Sequence, residues 1–372
     1  MAIVKFGDIV RDVKINVDRA NNPYEHYVAG DHMDSEDLTL HRYGNFATDD
    51  VGPAFTRIFK PGQVLYGSRR TYLKKIAVAN FEGICANTTF VLESKDDSLF
   101  DNRLLPFIML SDAFTRWSIA HSKGSTNPYV LFSDLADYEF DLPPIAEQKV
   151  LADKLWAAYR LKESYKKLLA ATEEMVKSQF IEMFKHKKPN GKIADLVDAN
   201  IKSVKKSFNK EDMIEYIDIS SVNAKYRTLN ETTQYIVASA PSRAQQCVQN
   251  GDILVSTVRP INRNVAVVNS NLTSLVASTG FCVLRPIDGY REYLLAIVTS
   301  DKYTEKMCDI ASGGLYPAVN NSDVLSYDIF IPDKDFLHRV TQIYQQADKS
   351  KFELRESIKS IDKVIKSLIN II

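Results

Sequence analysis

The chain has 372 residues and equal numbers of basic and acidic side chains, 47 of each, so its formal net charge is zero. Because affinity for nucleic acid depends on phosphate neutralisation, a neutral chain cannot be a uniformly basic binder, and any DNA contact must come from local positive patches. No stretch has the pattern of a signal peptide or a membrane span, and we expect a cytoplasmic protein with no membrane contact.

Residues 1–142 are predicted to form a globular domain of mixed helix and sheet. Short runs rich in β-branched and aromatic residues, bounded by turn residues, predict strands. Acidic side chains are in excess over this segment. A turn leading into a strand is predicted at Phe59–Tyr66, further strands at Ile76–Ala79, Thr89–Leu92 and Tyr138–Leu142, and one helix at Arg103–Ala120.

Residues 143–188 are predicted to be a long helix followed by a linker. Pro143 and Pro144 end the preceding segment, because proline fixes its own φ and restricts the residue before it. Beyond them the chain has no glycine or proline until Pro189. Apolar residues recur at alternating spacings of three and four, which is the pattern of a coiled-coil seam. The residues assigned to this seam are Leu151, Leu155, Ala158, Tyr165, Leu169 and Val176.

Residues 332–372 are predicted to contain a second long helix with the same seam. Its series begins at Val340 and ends at Ile372, and each member lies 189 residues after its counterpart in the first helix. Lys162, which interrupts the first seam, has its counterpart in Lys351. A helix this long cannot bury its seam alone, so the shared register predicts that the two helices pack together in a duplicated chain. The residues assigned to the second seam are Val340, Tyr344, Leu354, Ile358, Ile361, Ile365 and Leu368.

Residues 189–331 repeat the first globular segment at the same offset. Arg70 and Pro128, for example, correspond to Arg259 and Pro317. Between such matches the two segments diverge, so one scaffold carries two different surfaces. The predicted fold class is therefore α/β (α+β), with two similar globular domains separated and joined by two long helices.

No sequence motif indicates an enzyme. The chain lacks the glycine-rich nucleotide, P-loop and zinc-protease patterns, and its six histidines show no metal-ligand spacing. The four cysteines are far apart without a CxxC pair, which indicates free thiols rather than zinc ligands or disulfides. We therefore expect a non-catalytic protein with no metal site and no cofactor of its own.

Two corresponding loops carry residue types that suit DNA. Residues 67–75 leave a predicted strand with four cations and a tyrosine, and residues 256–264 carry two arginines among hydroxyl and amide side chains. Arginine pairs with guanine edges and asparagine with adenine, while serine, threonine and lysine hold phosphates. A solvated hairpin tip is the alternative, but both loops place an arginine at the same step. The predicted DNA-contacting residues are Ser68, Arg69, Arg70, Tyr72, Lys74 and Lys75 in the first loop and Thr257, Arg259, Asn262 and Arg263 in the second.

A second pair of corresponding loops spans residues 122–129 and 311–317. Glycine in these loops would let the backbone approach a phosphate, and an adjacent aromatic ring can pack on a sugar or a base. A plain glycine-rich turn is almost as good an interpretation. The residues predicted to contact DNA here are Lys123, Asn127, Tyr129, Ser312 and Tyr316.

Large side chains of the first long helix could contact a protein partner instead of the core. Periodicity does not separate these two roles. The residues concerned are Trp156, Leu161, Tyr165, Leu168 and Phe180.

Two segments resemble the specificity (S) subunit of Type I restriction-modification systems. The run Phe140-Asp141-Leu142-Pro143-Pro144-Ile145-Ala146-Glu147-Gln148-Lys149 is similar to the segment that leads into the central conserved region of that family. The run Gly251-Asp252-Ile253-Leu254-Val255-Ser256 with Arg259-Pro260 is similar to a motif of its target-recognition domains. The chain departs from the family pattern at Ile331–Phe336, where the second proline and the Glu-Gln pair are missing.

The resemblance implies a non-catalytic DNA reader with two target-recognition domains, residues 1–142 and 189–331. Residues 143–188 would hold the central conserved helix and residues 332–372 the C-terminal conserved helix. The two helices would form an antiparallel coiled coil within an internal pseudo-twofold repeat. Each domain would read one half of a bipartite site in double-stranded DNA, and the helix pair would set the spacer between the halves.

The resemblance also implies partners that supply the chemistry of DNA methylation and phage defence. Two methyltransferase (M) subunits would dock on the helices and domains, and restriction (R) subunits would join them. S-adenosylmethionine, ATP and Mg would be bound by those partners. The alternative is a two-domain protein-assembly scaffold without sequence-specific DNA binding, and an enzyme is a more distant third.

Overall fold

The computed structural model of the chain describes residues 2–18, 21–198 and 200–370. The described residues fall into two compact units. Unit 1 is drawn from Met1–Lys167 and Arg355–Ile372, and unit 2 is Leu168–Leu354. Each unit contains a globular part and a segment of both the first long helix, Ile145–Phe184, and the second long helix, Lys334–Ile369.

The described part of unit 1 has two four-stranded sheets and a two-stranded sheet. In the first sheet, Val64–Gly67 pairs antiparallel with both Ile76–Val78 and Thr89–Ser94. The second sheet contains one parallel pair, His26–Val28 with Gly83–Ala86. In chain order the strands are Ala2–Lys5, Val10–Asp12, His26–Val28, Gly44–Asn45, Phe55–Phe59, Val64–Gly67, Ile76–Val78, Gly83–Ala86, Thr89–Ser94 and Glu139–Leu142.

The prediction of a single helix at Arg103–Ala120 is wrong, because the helix is interrupted at Ser111. The backbone of Ser111 has φ −59° and ψ 149°, outside the helical region, and its hydroxyl accepts a hydrogen bond from the Phe114 backbone N–H at 3.1 Å. Ser111 is thus the N-cap of a new helix rather than an interior residue. The helical elements before the long helix are Phe6–Ile9, Thr71–Leu73 (3-10), Asn102–Leu104 (3-10), Leu105–Leu110, Asp112–Ala120 and Phe132–Ala136.

Unit 2 repeats the central part of this arrangement. Ile253–Ser256 pairs antiparallel with Val265–Val267 and Phe281–Leu284, and the hydroxyl of Ser300 caps the helix that follows, as Ser111 does in unit 1. The other strands are Gly191–Lys192, Met213–Ile217, Val222–Asn223, Thr228–Leu229, Thr233–Ile236, Ala244–Cys247, Leu275–Ser278 and Asp328–Ile329. The helical elements are Ile193–Leu196 (3-10), Val204–Ser207, Ile219–Ser221 (3-10), Val237–Ser239 (3-10), Pro260–Asn262 (3-10), Arg291–Val298, Asp301–Ile310 and Asn321–Leu325.

The long helices contribute to the core of each unit. In unit 1, Leu151 and Leu155 of the first helix and Ile365 of the second belong to one buried hydrophobic cluster. In unit 2, Val176 of the first helix and Tyr344 of the second belong to another buried hydrophobic cluster. The seam residue Ile372 lies outside the described residues. The predicted mixed α/β class and both long helices are confirmed, with the first helix beginning at Ile145 and not at Pro143.

Two of the side chains considered for partner contact belong to these cores. Trp156 packs against Phe107 at a ring separation of 5.3 Å, and Phe180 lies 4.3 Å from Phe184. Leu161 and Leu168 are exposed. The four cysteines are free thiols, with Cys85 and Cys282 buried and Cys247 and Cys308 half-buried. Among the described residues, no helix is both long and apolar enough to span a bilayer.

Candidate nucleic-acid interface

The two loops predicted to contact DNA in the first half of the chain lie side by side in unit 1. The Arg70 N–H donates to the Pro128 carbonyl at 2.7 Å, and the Val130 N–H donates to the Ser68 carbonyl at 3.0 Å. Arg69 and Tyr129 also form an isolated antiparallel bridge. We call residues 67–75 and 122–129 loop pair 1.

The corresponding loops of unit 2 are joined by the same backbone contacts. The Arg259 N–H donates to the Pro317 carbonyl at 2.7 Å, and the Val319 N–H donates to the Thr257 carbonyl at 2.9 Å. Each of these atoms follows its counterpart in unit 1 by the same offset that relates the two long helices. We call residues 256–264 and 311–317 loop pair 2. The chain therefore builds the same loop arrangement twice.

Both loop pairs hold non-glycine residues in the left-handed backbone region. Arg70 and Lys74 have φ of 51° and 47°, and Arg259 and Arg263 have φ of 49° and 51°. These residues flank the 3-10 turns Thr71–Leu73 and Pro260–Asn262. Such a conformation costs about 1–2 kcal/mol per residue. Its recurrence at the same two positions of both loop pairs indicates a turn that tertiary contacts maintain, which is typical of functional loops.

Two of the predicted DNA-contacting side chains point into the protein. The Ser68 hydroxyl donates to the Thr88 carbonyl at 2.6 Å, and the Thr257 hydroxyl donates to the Gly280 carbonyl at 3.0 Å. Both residues are buried. These hydroxyls therefore satisfy backbone groups beneath the loops.

Lys74 and Arg263 are tied to acidic residues at the start of a helix. Lys74 Nζ lies 3.0 Å from an Asp112 carboxylate oxygen and 3.1 Å from Glu36, and its side chain is only 13% exposed. Arg263 lies 2.6 Å from Asp301. Burial alone would lower the pKa of Lys74, but hydrogen bonds to Asp112 and Glu36 outweigh it and raise the pKa. Both cations brace their loops.

The remaining predicted contact residues face solvent to different extents. Lys75 is half-buried and donates to the Gly30 carbonyl, and the Lys123 ammonium lies 3.0 Å from Asp134. Among the described residues, no ion pair or side-chain hydrogen bond engages the guanidinium groups of Arg69 and Arg70. The exposed members of the predicted set are Arg69, Arg70, Tyr72, Lys123, Asn127, Tyr129, Asn262, Arg263, Ser312 and Tyr316.

Arg259 is held differently from Arg70. Its guanidinium carbon lies 4.4 Å from the centre of the Tyr316 ring, and its Nη2 donates to the Leu315 carbonyl at 3.1 Å. A cation over an aromatic face is attracted by the ring quadrupole. Loop pair 2 therefore has a fixed arginine, whereas the Arg70 guanidinium of loop pair 1 has no such side-chain contact within the described part of the chain.

A polar cluster in unit 1 is the place where the described residues could hold a metal ion. Ligand atoms of Asp37, His41 and Glu163 lie within 4.8 Å of one another. However, Lys166 Nζ lies 3.0 Å from Asp37 and 2.8 Å from Glu163, and Tyr159 donates to Asp37 at 2.7 Å. The ammonium group already contacts both carboxylates and offsets one of their two negative charges. We therefore interpret the cluster as an anchor between the 31–41 segment and the first long helix.

The predicted seam residues are buried or half-buried throughout. The spacing of three and four does not select some other buried residues of the helices, because they lie beside the seam. Tyr159, for example, is buried four residues after Leu155. The buried seam residues are Leu151, Leu155, Val176, Val340, Tyr344 and Ile365, and the half-buried ones are Ala158, Tyr165, Leu169, Leu354, Ile358, Ile361 and Leu368.

Comparison with known proteins gives one family and two similar sequences. Residues 21–174 match the family model of the Type I restriction modification DNA specificity domain. The chain is 30% identical over 137 residues to the Type I restriction enzyme HindI specificity subunit of Haemophilus influenzae, covering 36% of this chain and 30% of that protein. It is 28% identical over 148 residues to the EcoDI specificity subunit of Escherichia coli, covering 40% and 32%. The chain thus spans about a third of the length of the curated relatives it matches.

A solved structure matches nearly the whole chain. It is the Type I restriction-modification system S subunit from M. genitalium, with a TM-score of 0.57 and 10% identity, covering 99% of this chain and 94% of that one. At this identity the similarity concerns the fold alone.

Proposed function

We propose that the chain selects the DNA target of a Type I restriction-modification system, because residues 21–174 match the family model of the Type I restriction modification DNA specificity domain. Each globular part would read one half of a bipartite double-stranded site. The reading parts would be the target-recognition domains 1–142 and 189–331, linked by the helical segments 143–188 and 332–372.

The observation that carries this proposal is the repetition of the loop pair. Loop pairs 1 and 2 have the same backbone hydrogen bonds, and each has an arginine in the left-handed backbone region. The corresponding residues are separated by one constant sequence offset. Their side chains nevertheless differ at most positions. A repeated frame with different side chains is what a protein needs to read two unrelated half-sites, because base edges are recognised by side chains.

The side chains that face solvent supply the appropriate chemistry. Arg69 and Arg70 can pair with guanine edges or phosphates, and Asn127 and Asn262 can pair with adenine. Tyr72, Tyr129 and Tyr316 offer rings to sugars or bases. Ser68, Thr257, Lys74 and Arg263 would support the loops instead, since their polar groups are engaged inside the protein.

The long helices would pair as an antiparallel coiled coil that fixes the spacer between half-sites. The support comes from each unit separately, where segments of both helices share one hydrophobic cluster. Two rigid readers on one spacer act as a bivalent ligand, which gains affinity only when the gap is right. Exposed Leu161 and Leu168 lie on a face available to a protein.

Partners would carry out the chemistry on the selected DNA. Two methyltransferase subunits would dock on the helices and domains, and restriction subunits would join that core. S-adenosylmethionine, ATP and Mg would be bound by those subunits, and this chain would itself be non-catalytic.

The test is a methylome, measured by long-read sequencing of cells that express the chain with the methyltransferase encoded beside it. Cells expressing the methyltransferase alone are the control. A methylated bipartite motif that requires the chain is the expected result. A soluble complex without any new motif would contradict DNA selection and favour the protein-assembly scaffold.

A further inference from the structure

Loop pair 2 carries an exposed nonpolar surface, and the role proposed above accounts only for its tyrosine ring. Leu315 is 86% exposed, Tyr316 68% and Ile261 67%. Leu315 has the highest exposure among the large hydrophobic side chains in the described part of the chain. Single exposed apolar residues are common, but a group of them on adjoining loops indicates a contact surface. We call Ile261, Leu315 and Tyr316 the apolar tip.

Arg259 contacts two of the three residues of the apolar tip. Arg259 donates to the Leu315 carbonyl and stacks on the Tyr316 ring, which fixes the backbone on both sides of the leucine side chain. Gly313 turns the chain with φ +107°, a conformation that other residues rarely adopt. Because these contacts involve the backbone and the arginine, Leu315 remains free to bind something else.

Loop pair 1 has polar or charged groups at most of the equivalent positions. Thr126 and Asn127 stand where loop pair 2 has Leu315 and Tyr316. Two exposed cations of loop pair 1, Arg69 and Lys123, are replaced by Val258 and Ser312. Since Arg259 is stacked and Arg263 is paired with Asp301, loop pair 2 has less free positive charge at its surface.

We propose that Leu315, the most exposed residue of the apolar tip, reads its half-site by nonpolar contact with the 5-methyl group of a thymine in the major groove. The thymine methyl is the one nonpolar feature that base edges present there. Loop pair 1 reads the other half-site by hydrogen bonds and charge. This inference rests on the proposed function and specifies how one of its two surfaces works.

The experiment measures the affinity of the full chain, in complex with its methyltransferase subunit, for duplexes in which each thymine of the target is replaced by uracil. Uracil lacks only the 5-methyl group. At one thymine of one half-site the wild type should lose about fourfold in affinity, the value of one buried methyl group. Leu315→Ala should bind the normal duplex more weakly and show no further loss with uracil, while Leu315→Met should restore the uracil effect.

Thr126→Ala is the matched control, because it cuts the side chain back to Cβ at the equivalent position of loop pair 1, as Leu315→Ala does in loop pair 2. It should leave the uracil effect at the Leu315 half-site unchanged. The slope of log affinity against log salt should be the same in the wild type and Leu315→Ala, since no phosphate contact is lost.

Tolerance of uracil at every thymine would overturn the inference, and so would a wild-type uracil effect in Leu315→Ala. Loss of methyltransferase binding in Leu315→Ala, with DNA affinity intact, would assign the apolar tip to a protein contact instead. In each case the wild-type complex would still methylate a bipartite motif, so failure of this inference is distinct from failure of the proposed function.

Discussion

Lys74 Nζ lies 3.0 Å from the carboxylate of Asp112, the first residue of the helix that Ser111 caps. The same pairing recurs at the equivalent position of unit 2, where Arg263 lies 2.6 Å from Asp301 behind the Ser300 cap. Asp301 also forms an ion pair with Lys177 of the first long helix, at 2.7 Å. In both units, therefore, a cation at the end of the 3-10 turn ties the loop to a helix N-terminus.

Lys74→Ala should lower both stability and DNA affinity. The substitution removes a mostly buried ammonium group that pairs with two exposed carboxylates, and we expect a decrease of about 1 kcal/mol in the free energy of unfolding. Tryptophan fluorescence in urea measures it in unit 1, since the chain's two tryptophans, Trp117 and Trp156, both lie there. Arg69→Ala is the control, with reduced affinity and unchanged stability. Equal stability of the two variants would show that the pairing with Asp112 contributes nothing.

Arg70→Ala should relax base discrimination in one half-site and leave the other unchanged. Its guanidinium forms no ion pair among the described residues, so it can form hydrogen bonds with DNA. The loss of a bidentate contact to a base costs about 1–3 kcal/mol of binding free energy. The measurement is competitive binding to duplexes that vary one base pair at a time. Arg259→Ala should affect only the opposite half-site. Uniform weakening across all sequences would place Arg70 on a phosphate.

Gly313→Ala should be more damaging than Gly124→Ala. Both glycines have positive φ, +107° and +84°, which costs an alanine about 1–2 kcal/mol. At Gly313 an added Cβ would also lie 3.1 Å from the Tyr316 carbonyl, whereas at Gly124 it would meet nothing within 4 Å. Circular dichroism in urea follows the whole chain and therefore also reports the unfolding of unit 2, which has no tryptophan. Gly314→Ala should be nearly neutral, and a loss there equal to that of Gly313→Ala would contradict the strain argument.

The repeat and the long helices could be predicted because they leave periodic signals. The seam needs only a spacing of three and four, and the duplication needs only an offset that stays constant along the chain. The pairing of the loops followed less directly: their residue types suggested a shared role, but the bond from Arg70 to Pro128 joins positions that no short-range pattern connects.

The orientation of individual side chains could not be predicted. Ser68 follows a strand that is buried on both faces, so alternation did not reveal that its hydroxyl points inward. The role of Lys74 depends on where a helix begins, and the sequence pattern does not show that Ser111 caps a new helix there. The Asp37–Tyr159 contact joins residues 122 positions apart and has no sequence signature.

Asp37 should make the stability of unit 1 dependent on acid pH. Burial alone would raise its pKa, but hydrogen bonds from Tyr159, Thr39 and Lys166 outweigh burial and lower the pKa from 3.8 to about 2. A depressed pKa stabilises the fold above about pH 4, and this contribution is lost as the pH falls toward 2. Asp37→Asn should therefore be less stable than the wild type at pH 7, by on the order of 1 kcal/mol after solvent screening.

The same tryptophan signal, followed in urea between pH 7 and pH 2, measures that difference. The two proteins should converge in stability as the pH falls from 4 to 2. Asp34→Asn is a suitable control because Asp34 is half-exposed and bonds only to Arg42 among the described residues. If the difference in free energy of unfolding between the wild type and Asp37→Asn were the same at every pH, the lost contact would be steric and not ionic.

Lengthening the helix pair should change the spacer and nothing else. One heptad adds about 10 Å of helix, about three base pairs at 3.4 Å each, and it returns the seam to nearly the same face. Lys162 of the first helix pairs with Asp362 of the second at 2.6 Å within unit 1, so both helices must be extended together.

We would duplicate Leu168–Glu174 and Ser350–Glu356 and read the methylated motif. The half-sites should be unchanged and the gap wider by about three base pairs. A heptad added to the first helix alone should mismatch the seam and abolish methylation. An altered half-site with an unaltered gap would show that the helices do not measure the spacer.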